Sequence, residues 1–127
     1  MPPLAGLVYP INALPAAGLT AAGIDQLSHS AELKTAAVLE YYRQLPADLV
    51  FCFSDIAIQA EALGATVRFS PGGMPAVSAP AASPRPVRAA ACPRMRINAE
   101  VLRALGREFP GRPRAAMVYG PFTVAGQ

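Results

Sequence analysis

The chain has 127 residues and a mass of 13.2 kDa, with 53% hydrophobic and 15% charged residues, which suits one domain with a modest core and argues against disorder. Its net charge of +3 is unevenly spread: residues 1–84 carry Lys34, Arg43 and Arg68 against six acids, a balance of −3, while residues 85–127 carry eight Arg against Glu100 and Glu108, a balance of +6. Those Arg are interleaved with Pro and Ala and lack an aromatic stacking platform, which argues against a nucleic-acid reader, and no 18-residue apolar window escapes Pro, Gly or charge, which argues against a spanning helix.

In chain order, Leu4 to Tyr9 (LAGLVY) is a short apolar run ended by Pro10 and reads as a buried strand. Residues 12–23 are uncharged and rich in Ala, Gly and Pro, and read as a loop. A helix should start at Ser30, a good N-cap with Glu32 in the first turn, and Val38, Tyr41, Tyr42 and Leu45 then fall on one face until Pro46 stops it. The run LVFCFS (49–54) is β-branched and aromatic, as expected of a strand buried on both faces. Asp55 follows it, then a short helical stretch, IAIQAEAL, closed by Gly64. ATVRF and PAVS suit a small hairpin around Pro71-Gly72-Gly73, and residues 75–96 form a Pro-rich excursion. Asn98 can cap a further helix, AEVLRALGREF, closed by Pro110-Gly111. AAMVYGPFTVAGQ reads as a third buried strand with a Gly-Pro turn.

The alternation predicts an α/β fold with about three parallel strands in a single domain over residues 1–127. The N-terminus MPPLAG has no basic region, and Cys52 and Cys92 have neither CxxC spacing nor a secreted pattern, so a reduced, cytoplasmic protein is expected.

Asp55 has two readings. Ahead of IAIQAEAL it can cap orphan helix N–H groups, typically worth about 1 kcal/mol. At the C-terminal end of a strand it can instead face an active-site mouth.

DLVFCFSDIAIQAEALGATVRF (48–69) resembles the second-strand region of the uroporphyrinogen decarboxylase superfamily, with FSDI followed by EALG as its most specific signature. That superfamily also includes cobalamin-dependent methyltransferases acting on thiols such as coenzyme M. YGPFT (119–123) is similar to the Gly-Pro-aromatic-Thr at the end of the family's third strand. The resemblance implies the incomplete N-terminal part of a TIM (β/α)8 barrel, which takes about 250 residues to close, and a chain that is inert by itself. It makes Asp55 the family's essential aspartate, which in the decarboxylases accepts hydrogen bonds from pyrrole N–H groups as a pyrrole carbon is protonated. Tyr9, Phe122 and Thr123 are the candidate substrate-binding residues beside it.

Departures from the family pattern select between its chemistries. Aligned on Leu14-Pro15, Val8 and Asn12 stand where the decarboxylases carry two arginines, and no cation precedes Lys34. A substrate with eight carboxylates should demand bidentate Arg contacts. Of the basic residues, only Arg85, Arg88, Arg94 and Arg96 form a cluster able to substitute. The uncharged loop better suits a thiol substrate or the apolar surface of a corrin. Methyl transfer from a methylated corrinoid to a thiol is therefore the leading expectation, and uroporphyrinogen decarboxylation the rival. A non-catalytic module pairing with a complementing chain through open sheet edges is a third reading. The methyltransferases also use zinc held by a His-x-Cys pair and a distant Cys. His29, Cys52 and Cys92 do not have that spacing, so no metal site is expected, and corrinoid and zinc are expected only in a longer relative. The partners expected are a tetrapyrrole or corrinoid-type ligand, with neither nucleic acid nor membrane.

Overall fold

The computed structural model describes residues 13–85 and 88–126, so the expected strand over 4–9, and Tyr9 with it, lie outside the described residues. The described chain is mixed α/β: helices α1 (Ile24–His29), α2 (Ala31–Gln44), α3 (Ala57–Ala62), α4 (Pro93–Glu108) and α5 (Pro121–Ala125), and strands β1 (Val50–Cys52), β2 (Thr66–Arg68), β3 (Ala76–Ala79) and β4 (Arg114–Ala116).

The parallel relation expected of β1 and the final strand is present. Val50 pairs with Arg114, Phe51 with Ala115 and Cys52 with Ala116. The crossover between them holds α3, the hairpin and α4. The expected hairpin is also there, β2 antiparallel to β3 as a separate sheet, and its turn places Gly72 at φ +69°, a conformation L side chains rarely adopt.

α2 forms as its sequence dictates. The Ser30 hydroxyl accepts from Leu33 N–H at 3.2 Å, and the helix ends at Gln44, two residues before Pro46. Its buried stripe is Lys34, Val38 and Tyr42, one helical turn apart each, with Ala37 alongside. That stripe packs with Leu27, Val50, Cys52 and Phe53, and with Val101 and Leu105 of α4, into one core. Tyr42 also accepts from Phe51 N–H through its hydroxyl at 2.8 Å, tying α2 to β1, and burial pushes this phenol up to about 12.

Four local expectations are corrected. Residues 14–19, expected as loop, form a 3₁₀ helix with Pro15 in its first turn and buried Ala16, because small residues let the backbone approach the core closely; α1 follows it. α4 starts at Pro93, five residues before Asn98, since Pro is tolerated at the first helical position; Asn98 is an interior residue of the helix and not its cap. β4 is not buried on both faces. From Arg114 to Gly120 exposed and half-buried residues alternate, the pattern of a strand with one face open to solvent. The Gly120-Pro121 turn opens α5, with Pro121 again in the first turn. None of the described helices is long and apolar enough to cross a membrane.

Candidate functional site

Asp55 sits three residues beyond Cys52, the last paired position of β1, at the C-terminal tip of the parallel pair, and is 7% exposed. The two oxygens of its carboxylate have separate partners. Oδ1 accepts from the Ala57 N–H at 3.1 Å, capping the start of α3, and Oδ2 accepts from Arg94 Nη1 at 2.6 Å. The hydroxyl of the neighbouring Ser54 accepts from Asn98 Nδ2 at 3.3 Å.

Arg94 comes from the first turn of α4 and is only 3% exposed. Its Nε donates to Glu61 Oε2 at 2.6 Å, so one guanidinium serves two carboxylates, and its plane lies 5.1 Å from the Phe69 ring, which also packs against His29. The third nitrogen, Nη2, is buried without a partner. Such a group is expensive to leave unpaired, and buried polar atoms in folded proteins are nearly always satisfied. The second such atom among the described residues is Gln59 Oε1, one helical turn after Asp55. One is an unused donor and the other an unused acceptor.

A second polar chain runs beside the first. Lys34, 3% exposed, donates from Nζ to Asn98 Oδ1 at 2.6 Å and lies 4.2 Å over the Phe53 ring. Burial lowers the Lys34 ammonium below its usual range, although the nearby Cys52 and Asp55 act the other way. The Cys52 thiol donates to the Phe53 carbonyl at 3.4 Å, and burial pushes it up to about 11, which makes it an inert thiol at neutral pH. Burial and then the Asp55 charge raise the Tyr119 phenol.

Between the tips of β1 and β4 lies a cleft of about 230 Å³, with Ser54, Gln59 and Asn98 among apolar neighbours that include Met95, Leu102 and Met117. The structure thus brings Asp55 to the strand tips but does not bring Phe122 into contact with it as a wall: Phe122 is 94% exposed on α5, and Thr123 on the same helix is exposed too. Of the basic cluster, Arg94 is committed to Asp55 and Glu61, while Arg85, Arg88 and Arg96 are exposed.

Sequence reasoning missed Lys34, Gln59 and the special place of Arg94. Lys34 had a signal: it falls one and two turns before Val38 and Tyr42, on the buried stripe. Arg94 had none, because its pairing with Asp55 spans 39 residues and depends on where α4 begins.

Among the described residues no three His, Cys, Asp or Glu side chains converge as a metal site. His29 Nδ1 lies 3.0 Å from Asp25, and Cys52 and Cys92 are free and buried, so these residues do not fit the zinc set of the methyltransferases.

Asp55 thus lies beyond the C-terminal end of a parallel β-pair in a mixed α/β chain. The family model for uroporphyrinogen decarboxylase (URO-D) matches residues 15–127, and the chain belongs to this family. Comparison with curated proteins and with solved structures returned no match.

Proposed function

We propose that Asp55 stands behind the reactive mouth of a URO-D family domain, next to the lining residue Ser54, and that the reaction served is methyl transfer from a methylated corrinoid to a thiol. The supporting observation is the lining of the strand-tip cleft. Apart from Ser54, Gln59 and Asn98 it is apolar, and none of its lining side chains is charged. A substrate with eight carboxylates would find there no guanidinium to pair with, since Arg94 is already shared by two carboxylates. An apolar, uncharged mouth instead suits the edge of a corrin and a small thiol. A methylated corrinoid, when bound, would supply the methyl group and keep the electron pair of the broken bond, while the thiol would lose its proton to solvent as the carbon–sulfur bond forms. The described residues supply no zinc ligands, so no step here is drawn through that metal. Asp55 contributes a fixed negative charge held by Ala57 N–H and Arg94, placed to orient a donor or a positive centre in a low-dielectric site.

One observation favours uroporphyrinogen decarboxylation instead: the unused Arg94 Nη2 is a donor that a substrate carboxylate could take. This chain alone is expected to be inert, so assaying both reactions on a full-length version and its Asp55→Asn variant separates the two. Methyl transfer predicts thiol-dependent demethylation of methylcobalamin that falls at least about tenfold in the variant, a loss of about 1.4 kcal/mol in transition-state stabilisation. Release of carbon dioxide from uroporphyrinogen, abolished in Asp55→Asn, would establish the rival. Asparagine keeps the cap on Ala57, so the fold should survive the change.

A further inference from the structure

The two polar side chains of the strand-tip cleft that carry amide groups differ in a way that selects a ligand. Asn98 is fully committed: Oδ1 accepts from Lys34 Nζ at 2.6 Å, and Nδ2 donates to Ser54 Oγ at 3.3 Å. Gln59 is half committed. Its Nε2 donates to the Tyr119 carbonyl at 3.5 Å, which orients the amide and leaves Oε1 buried with no donor. A buried carbonyl oxygen without a donor has lost its hydration with nothing in return, so it is a standing demand for an N–H or O–H group.

The rest of the cleft sets the body of that ligand. Ile58, Met95, Leu102 and Met117 line it, two of them methionines, which adapt to flat or irregular apolar shapes. No acid or base lines it. Its volume of about 230 Å³ is smaller than the roughly 300–1,000 Å³ of pockets for drug-sized ligands, so it takes one ring or the tip of a larger molecule.

We infer that Gln59 is a specificity-determining residue, and that the cleft between the tips of β1 and β4 binds an uncharged apolar group carrying one N–H or O–H donor, which Gln59 Oε1 accepts. The inference rests on the reading that the strand tips are the reactive end, and it adds to that reading the chemical class of the group bound there. A site built to accept a hydrogen bond rejects an isostere that lacks the donor, because the acceptor is then left unpaired.

The test is binding and not turnover. Phenol and toluene share a shape and differ in the donor, and methyl-labelled Met95 and Met117 report occupancy by NMR titration. Both probes should move the two methyl signals, while the Gln59 side-chain amide signals should move with phenol and not with toluene. Gln59→Leu should then shift the ratio of the two affinities towards toluene by about fivefold, the worth of one net hydrogen bond. The ratio cancels the greater water-solubility of phenol. Equal response of the Gln59 amide to both probes, an unchanged ratio in Gln59→Leu, or silence at Met95 and Met117 each overturns the inference. The wild-type amide response decides the matter even if Gln59→Leu fails to fold. Because no reaction is read, failure here leaves the Asp55 assay standing, and failure of that assay leaves the binding preference standing.

Discussion

The two ends of the β1–β4 pair are built from similar residues and spend them differently. At the N-terminal end, arginines close the structure onto backbone carbonyls. Arg112 donates to the Tyr42 carbonyl at 3.2 Å and stacks on Phe109, and Arg114 reaches the Leu102 carbonyl at 3.4 Å. Nearby, Arg43 holds Glu108 at the surface at 2.7 Å. At the C-terminal end Arg94 is buried, divides itself between Asp55 and Glu61, and still has a nitrogen without a partner. One end uses its cations for closure. The other buries its cation and leaves one of its nitrogens without a partner. Barrel-type α/β enzymes divide stability and chemistry between the same two ends.

The largest effect should come from removing the buried cation. Arg94→Met strips the counter-charge from a carboxylate that is 7% exposed and from Glu61 beside it. Taking one partner from a buried ion pair typically costs about 3–5 kcal/mol, because the remaining charge is stranded. Urea denaturation should show a loss of that order, and adding Asp55→Asn to the same variant should restore a substantial part of it. A loss under about 1 kcal/mol, or no recovery in the double variant, would mean that the tip is not the strained end.

A smaller effect should appear at alkaline pH, through Cys52 at the same tip. Burial raises this thiol from its ordinary 9.0 to about 11 in the folded chain. Between those values the unfolded chain has lost the proton and the native chain has kept it, so the native state binds more protons and stability falls as pH rises. Two pH units correspond to about 2–3 kcal/mol lost by pH 11. Lys34 opposes this, since its lowered pKa makes stability rise with pH up to the unfolded value of 10.5. Cys52→Ala should therefore flatten the fall between pH 9 and 11. Parallel wild-type and variant profiles would show that the thiol is not buried as described.

Much of this was legible where local rules act alone. Ser30 as a cap, Pro46 as a stop, the Pro71-Gly72-Gly73 turn and the buried strand before Asp55 all follow from short-range chemistry. Gly64 closing α3 at φ +103° belongs with them. What escaped were features settled at long range. The start of α4 at Pro93 decides that Arg94 meets Asp55, and a reading that began the helix at Asn98 left Arg94 in a loop. Asp55 was legible as a cap, and Oδ1 takes that task; the ion pair its second oxygen makes with Arg94 was not, because it joins residues 39 positions apart. Phe122 drew notice as an aromatic beside a Gly-Pro pair, but the helix opened by Pro121 turns it outward.

The smallest effect is expected at the opposite end, and it probes whether closure there depends on a tight fit. Gly106 lies in α4, and a Cβ built on it would meet the Arg114 guanidinium, 2.7 Å from Cζ and 3.0 Å from Nε. Contacts that short force a movement, but the atoms in the way are the far end of a flexible, exposed side chain. Arg114 can swing into water at the cost of one exposed hydrogen bond to the Leu102 carbonyl, worth no more than about 0.5–1 kcal/mol. Against that, replacing glycine by alanine within a helix gains up to about 1 kcal/mol. Gly106→Ala should thus leave stability within about 0.5 kcal/mol of wild type, with the balance towards stabilisation. A loss above about 1 kcal/mol would show that the Arg114 bond closes this end as firmly as the Arg94 pair holds the other, and the division of labour between the two ends would fail.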